Sequence, residues 1–345
     1  MSTPQLHRES IVIDGLYHSL LVDPPPATDG ASTVEQLKRA GVTALNVSVT
    51  LDIYPTLDLK AGLASLYDHL VLFDALPDDT LLVRTAEDIW RAKREKKLGV
   101  IFGTQGTALL EGDIRWVSLL HSLGLRIMQL TYNERNAVGS GCLERHDDGL
   151  TRFGSQVIRE MNRLGMLIDL SHAGERTSLE AMQESDDPVV FSHSGVKGLV
   201  DHPRNLSDEQ VRAVAASGGV VGLCPHSIMC QRGDGRPTLD DYIDQLAYVG
   251  DLVGIEHVAV GTDRFMHQTL AYRLIRTAYE RTVRGFFGQF DGDSKHVEGF
   301  NGLEEWPNLT RRLIERGFHH DDIEAILGLN FLRVFDAVWG REEHA

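Results

Sequence analysis

Two short apolar runs, residues 166–170 and 188–191, each end in Ser-His and are separated by a helical stretch over 174–184. A strand buried on both faces reads as such a run, and a helical crossover makes the two strands it joins parallel. A βαβ unit brings the residues just past its strand ends to one mouth, where α/β sites are built. His172 and His193 are therefore expected side by side, from neighbouring strands. Two imidazoles converging there most often ligate a metal; the alternative is a pair of hydrogen-bonded structural histidines.

The same alternation runs along the chain. Strand-like runs fall at 10–14, 42–49, 81–83, 98–102, 125–131, 219–224 and 257–261. Helical spacing fills the intervals at 32–40, 57–75, from Thr85, 113–123, 151–164, 207–216 and 239–253. Ser32 or Thr33 and Ser207 are placed as N-caps. About eight strand–helix units predict a (β/α)8 TIM barrel, with residues 1–345 as one barrel domain. The stretch 23–30 reads as a loop, and the loop 132–149 is long enough to cover a site. Beyond Asp263 the pattern is helical only, at 270–287, 309–316 and 321–338. These are read as extra C-terminal helices, from about residue 268, packed on the barrel's outside.

Composition narrows the partners. With 42% hydrophobic residues in 345, the chain can bury a large core, and its net charge of −16 argues against nucleic acid. Three cysteines, Cys142, Cys224 and Cys230, form no CxxC pair and no disulfide framework, as expected of a cytoplasmic protein. The N-terminal stretch MSTPQLHRESIVIDG has no apolar core of the kind a signal peptide is expected to carry, and no run approaches the apolar length of a membrane span. The oligomeric state, including a homodimer, is left open.

The polar residues that follow apolar runs are His18, Gln105, Tyr132, His172, His193, Arg204 and Asp263. A catalytic zinc usually takes three protein ligands and keeps a position open for water. His172 and His193 supply two, and Asp263 is the candidate third ligand or a general base, with a helix N-cap or a partner for a nearby Arg as its plain alternative. Arg204 suits a substrate carboxylate, which a guanidinium grips bidentately, against a surface ion pair as the plain alternative. Tyr132 is placed as a donor to a developing oxyanion, with packing as its alternative. His202 and the cysteines are read as structural.

At these residues the chain resembles the membrane (renal) dipeptidase family, peptidase family M19. The resemblance rests on GLTRFGSQVIREMNRLGMLIDLSH, PVVFSHS, DHPRN and VGTD, and on element order over nearly the whole length. It implies a barrel of the metal-dependent hydrolase type with zinc at the mouth. The family's histidine pair, substrate-gripping Arg and acidic residue near the last strand match His172, His193, Arg204 and Asp263. The family's second zinc does not carry over. Where the family has His-x-Asp after Asp-Gly, this chain has Leu16-Tyr17-His18. Gln105 stands for the bridging Glu, and Tyr132 for a substrate-contacting His. One firmly bound zinc is expected, with Gln105 and His18 at the weakened second position, unless Asp23 or Glu134 swings in to rebuild it.

These readings converge on a metal-dependent hydrolase that cleaves a small amide or dipeptide-like substrate bearing a carboxylate. Two alternatives stay open: a metal-dependent lyase or isomerase on the same barrel, and a non-catalytic binding protein. Product analysis separates the first, because hydrolysis yields two fragments. Metal content separates the second.

Overall fold

The computed structural model describes residues 3–18, 30–51, 58–265, 289–291 and 293–340. Among the described residues ten strands form, in chain order: β1 (Ile13–His18), β2 (Ala44–Leu51), β3 (Thr80–Leu82), β4 (Leu98–Gln105), β5 (Leu125–Gln129), β6 (Leu167–Asp169), β7 (Val190–Val196), β8 (Asn205–Leu206), β9 (Val220–Leu223) and β10 (Val258–Val260). Eight of them run in the order β1-β2-β4-β5-β6-β7-β9-β10, every pairing parallel. The ends of this sheet meet. Tyr17 and Arg264 form a parallel bridge, and His18 N donates to Arg264 O at 2.7 Å. The fold is a (β/α)8 TIM barrel.

The run at 81–83 is not a stave: β3 pairs only with the start of β4, outside the barrel path, and β8 likewise flanks β7. Three staves run further into the mouth than their apolar stretches suggest. The apolar run of β1 stops at Asp14, but the strand continues to His18, because the Asp14 carboxylate is buried and accepts from Leu16 N at 3.3 Å and Thr262 N at 2.7 Å. β4 reaches Gln105, and β7 reaches Val196, so His193 lies within its strand rather than past it. The helix Gly30–Arg39 starts early enough to put Ser32 and Thr33 in its first turn instead of at its cap. Thr85 and Ser207 do cap, each in a reciprocal box, with Asp88 and Gln210 respectively. A helix at Thr3–Glu9 carried no sequence signal.

The inside of the barrel is layered. Ile13, Ala44, Ile101, Ile127, Leu167, Val190, Val220 and Ala259, one from each stave, form an apolar cluster near the strand starts. Above it stand small and polar residues. A Cβ on Gly15 or Gly222 would meet Ser192 O at 2.5 or 2.1 Å and the Phe331 ring at 2.6 or 3.1 Å. Phe331 belongs to the helix Asn330–Trp339, and with Val334, Phe335, Val338 and Trp339 it joins that interior cluster. This corrects the expected arrangement: the last helix plugs the bottom of the barrel instead of lying on its outside. The helix Trp306–Glu315 does pack outside, against Thr3–Glu9 and Leu239–Val253. The helix expected at 270–287 and most of the loop read at 23–30 lie outside the described residues. No described helix is long and apolar enough to cross a membrane.

Candidate active site

β6 ends in Asp169, whose carboxylate ties the two central strands together. It accepts from Ser171 N and Ser192 N, both at 2.9 Å, and from Ser192 Oγ at 2.5 Å. With its proton given to Asp169, Ser192 Oγ accepts from His193 Nδ1 at 2.7 Å. His172 Nδ1 donates to Asn133 Oδ1 at 2.6 Å. A neutral imidazole protonated at Nδ1 keeps its lone pair on Nε2. The two Nε2 atoms face one another at 2.9 Å. Two lone pairs that close repel unless a proton or cation lies between them.

Burial holds both imidazoles well below the usual histidine pKa; the Arg204 charge adds to this at His172, whereas Asp263 opposes it at His193. They are therefore neutral nitrogen donors at pH 7, the form a metal requires. His172 sits at φ +66°, a left-handed conformation unusual for a residue with a Cβ, and is held there by Cys142 N donating to His172 O at 2.8 Å.

Three expected residues join this half. Gln105 Nε2 lies 3.2 Å from His193 Nε2, and its Oε1 is buried without a hydrogen-bond partner. Tyr132 stacks on His172, centroids 4.1 Å apart at 23°. Arg204 is buried and donates from Nη2 to His193 O at 2.9 Å. A cavity of about 600 Å³ opens beside His172 and Arg204, with Cys142, Glu144 and Lys197 also on its wall. Burial pushes the Cys142 thiol up, so it stays protonated, as do Cys224 and Cys230 for the same reason. His202 Nδ1 accepts from Arg204 N at 3.2 Å.

The other half is organised around Asp263, also left-handed at φ +54°. Its Oδ1 is 2.6 Å from His18 Nε2, and its Oδ2 is 3.2 Å from Lys295 Nζ, which also donates to Asp263 O. Burial alone would raise this carboxyl, but the Lys295 ammonium and His18 outweigh it and hold the group well below the carboxylate range. Asp263 N donates to Leu16 O at 2.9 Å, so Leu16 contributes backbone where an imidazole would be needed.

The residues therefore fit a metal on one side only. Two neutral imidazole nitrogens suit one cation, while Asp263 and His18 are already committed to each other and to Lys295. Among the described residues no group of three or more His, Cys, Asp and Glu side chains could hold a metal. Glu134 is exposed on the covering loop, and Asp23 lies outside the described residues. Sequence reasoning missed Lys295 and the orienting roles of Asn133, Asp169 and Ser192. The last three lie beside singled-out residues or inside quoted motifs. Lys295 comes from an irregular segment after the barrel and carries no motif.

The model of the membrane dipeptidase family, peptidase family M19, matches residues 5–268 and 280–344. A dipeptidase, verJ, of Clonostachys rogersoniana is 30% identical over 270 residues, 77% of this chain and 62% of that protein. The chain spans about six-tenths of the length of these curated relatives. Among solved structures, an amidohydrolase from Pseudomonas aeruginosa superposes with a TM-score of 0.88 at 33% identity, covering 99% of this chain and 100% of that one. A metallopeptidase from Rhodobacter sphaeroides, liganded with a phosphinate mimic of the dipeptide L-Ala-D-Ala, shares the fold at a TM-score of 0.79 and 20% identity, over 96% of this chain and 100% of its own.

Proposed function

The chain belongs to the membrane dipeptidase family, peptidase family M19, and on that footing we propose that it is a zinc-dependent hydrolase of dipeptide-like amides with a free carboxylate. The observation that carries this reading is the pair of buried imidazoles whose Nε2 atoms face one another at 2.9 Å beside a buried guanidinium. His172 and His193 would hold the ion, with the Gln105 amide next to them. Held there, zinc would supply Lewis acidity towards a carbonyl oxygen and would acidify water.

The chain's own residues do the rest. Arg204 is fixed on His193 O, so a carboxylate bound to its remaining N–H groups places the neighbouring amide at the imidazole pair. Asp169 and Ser192 keep His193 in the donor tautomer, and Asn133 does so for His172. Tyr132, stacked on His172, is at hand to donate to oxygen as negative charge develops. Asp263, expected as a proton shuttle, stays ionised beside Lys295 and contributes charge and orientation rather than a proton reservoir. The R. sphaeroides metallopeptidase with its dipeptide mimic supports the substrate class by likeness of fold alone.

The test is hydrolysis of free dipeptides and their C-terminal amides by zinc-supplemented protein. Arg204→Ala should lower kcat/KM roughly ten- to a hundredfold on the free dipeptides, the usual worth of a hydrogen bond to a charged group, and much less on the amides. Equal losses on both, or no hydrolysis of any dipeptide by the wild type, would refute the proposal.

A further inference from the structure

Lys295 is out of reach of solvent, its side chain 2% exposed, in the mouth of the barrel. Its segment is strapped down on both sides. Ser227 N donates to Lys295 O at 2.7 Å, Ser227 Oγ donates to Ser294 O at 2.7 Å, and His296 Nε2 lies 2.6 Å from Thr262 O, next to Asp263. The ammonium is thereby delivered to Asp263, with Nζ 4.2 Å from the Phe265 ring centroid. The same ring stacks on His18 at 3.6 Å and 6°, closing the cluster. A buried ammonium is costly to desolvate and persists only where its partners are well placed.

We propose that Lys295 is a built-in cation that takes the place of a second metal ion on the β1–β10 side of the mouth. The cluster of Lys295, Asp263 and neutral His18 carries no net charge. Both Asp263 oxygens are engaged, so a dication arriving there meets an ammonium and no available carboxylate. Without the ammonium, Asp263 becomes an uncompensated buried anion 2.6 Å from an imidazole, a two-donor set that attracts a dication. Lys295 is thus a positioning residue that sets how many metals the mouth accepts. The number of ions held by the imidazole pair rests on the preceding proposal; the change caused by removing Lys295 does not.

Zinc content after equilibrium dialysis, measured on the full chain, tests this. Lys295→Met should hold one zinc more per chain than the wild type, and adding Asp263→Asn should abolish the gain. If Lys295→Met fails to fold, as judged by near-ultraviolet circular dichroism, Lys295→Gln keeps a donor for Asp263, deletes the charge and should show the same gain. Equal zinc content in the folded variant and the wild type would overturn the proposal, and would mean that His18 takes up a proton instead. A wild type without zinc would defeat the reading of the imidazole pair, yet the gain of one ion on removing Lys295 would still be expected.

Discussion

Asp14 joins the first and last staves from a fully buried position, accepting from Thr262 N at 2.7 Å and Thr262 Oγ1 at 2.5 Å. Burial raises its pKa from 3.8 to about 6, against the opposing effects of the Thr262 hydrogen bonds and the Arg264 charge. A folded-state pKa above the unfolded value means that protonation favours folding. That contribution is complete below about 3.8 and is lost as pH rises through about 6. Asp14→Asn removes the titration but keeps an acceptor for Thr262 N. Between pH 4 and pH 7, urea unfolding should show the difference in stability moving in favour of the Asn variant by about 2–3 kcal/mol. A difference independent of pH, or one moving the other way, would contradict this. At this scale the sequence is most legible where an apolar run ends in a residue of specific chemistry, as with His172, His193 and Gln105. Lys295 is not legible, because nothing in its neighbours along the chain foretells that a Lys there is buried against Asp263.

Strand-to-helix alternation is readable as elements because each period has its own apolar spacing. What an apolar face packs against is a different matter. The helix Asn330–Trp339 shows an apolar stripe that would suit the outside of a barrel equally well. Its actual place is set by Gly15 and Gly222, whose missing side chains leave room for the Phe331 ring inside. Phe331→Ala should therefore destabilise the protein by about 3–5 kcal/mol in denaturant unfolding, the range for emptying a well-packed aromatic site. A loss below about 1 kcal/mol would mean that the ring does not fill the barrel. The strands outrun their apolar pattern for a related reason. β1, β4 and β7 continue through polar residues because these line a polar mouth, and a hydropathy pattern stops where the apolar residues stop.

Across the whole molecule, closing the barrel gathers residues from distant parts of the sequence into a mouth with two unlike halves. One half presents neutral nitrogen donors fixed by Asn133 and by the Asp169–Ser192 pair. The other pairs a carboxylate with an imidazole and an ammonium. The net charge of −16 predicts none of this, because the mouth is governed by a few buried groups rather than by surface charge. The asymmetry leads to a definite metal count. The most direct test is a crystal structure of the zinc-loaded protein with anomalous data at the zinc edge. The account predicts one strong peak, bound by His172 Nε2 and His193 Nε2, with Asp263 still paired to Lys295. Two peaks of comparable occupancy, or none at the imidazole pair under saturating zinc, would contradict it.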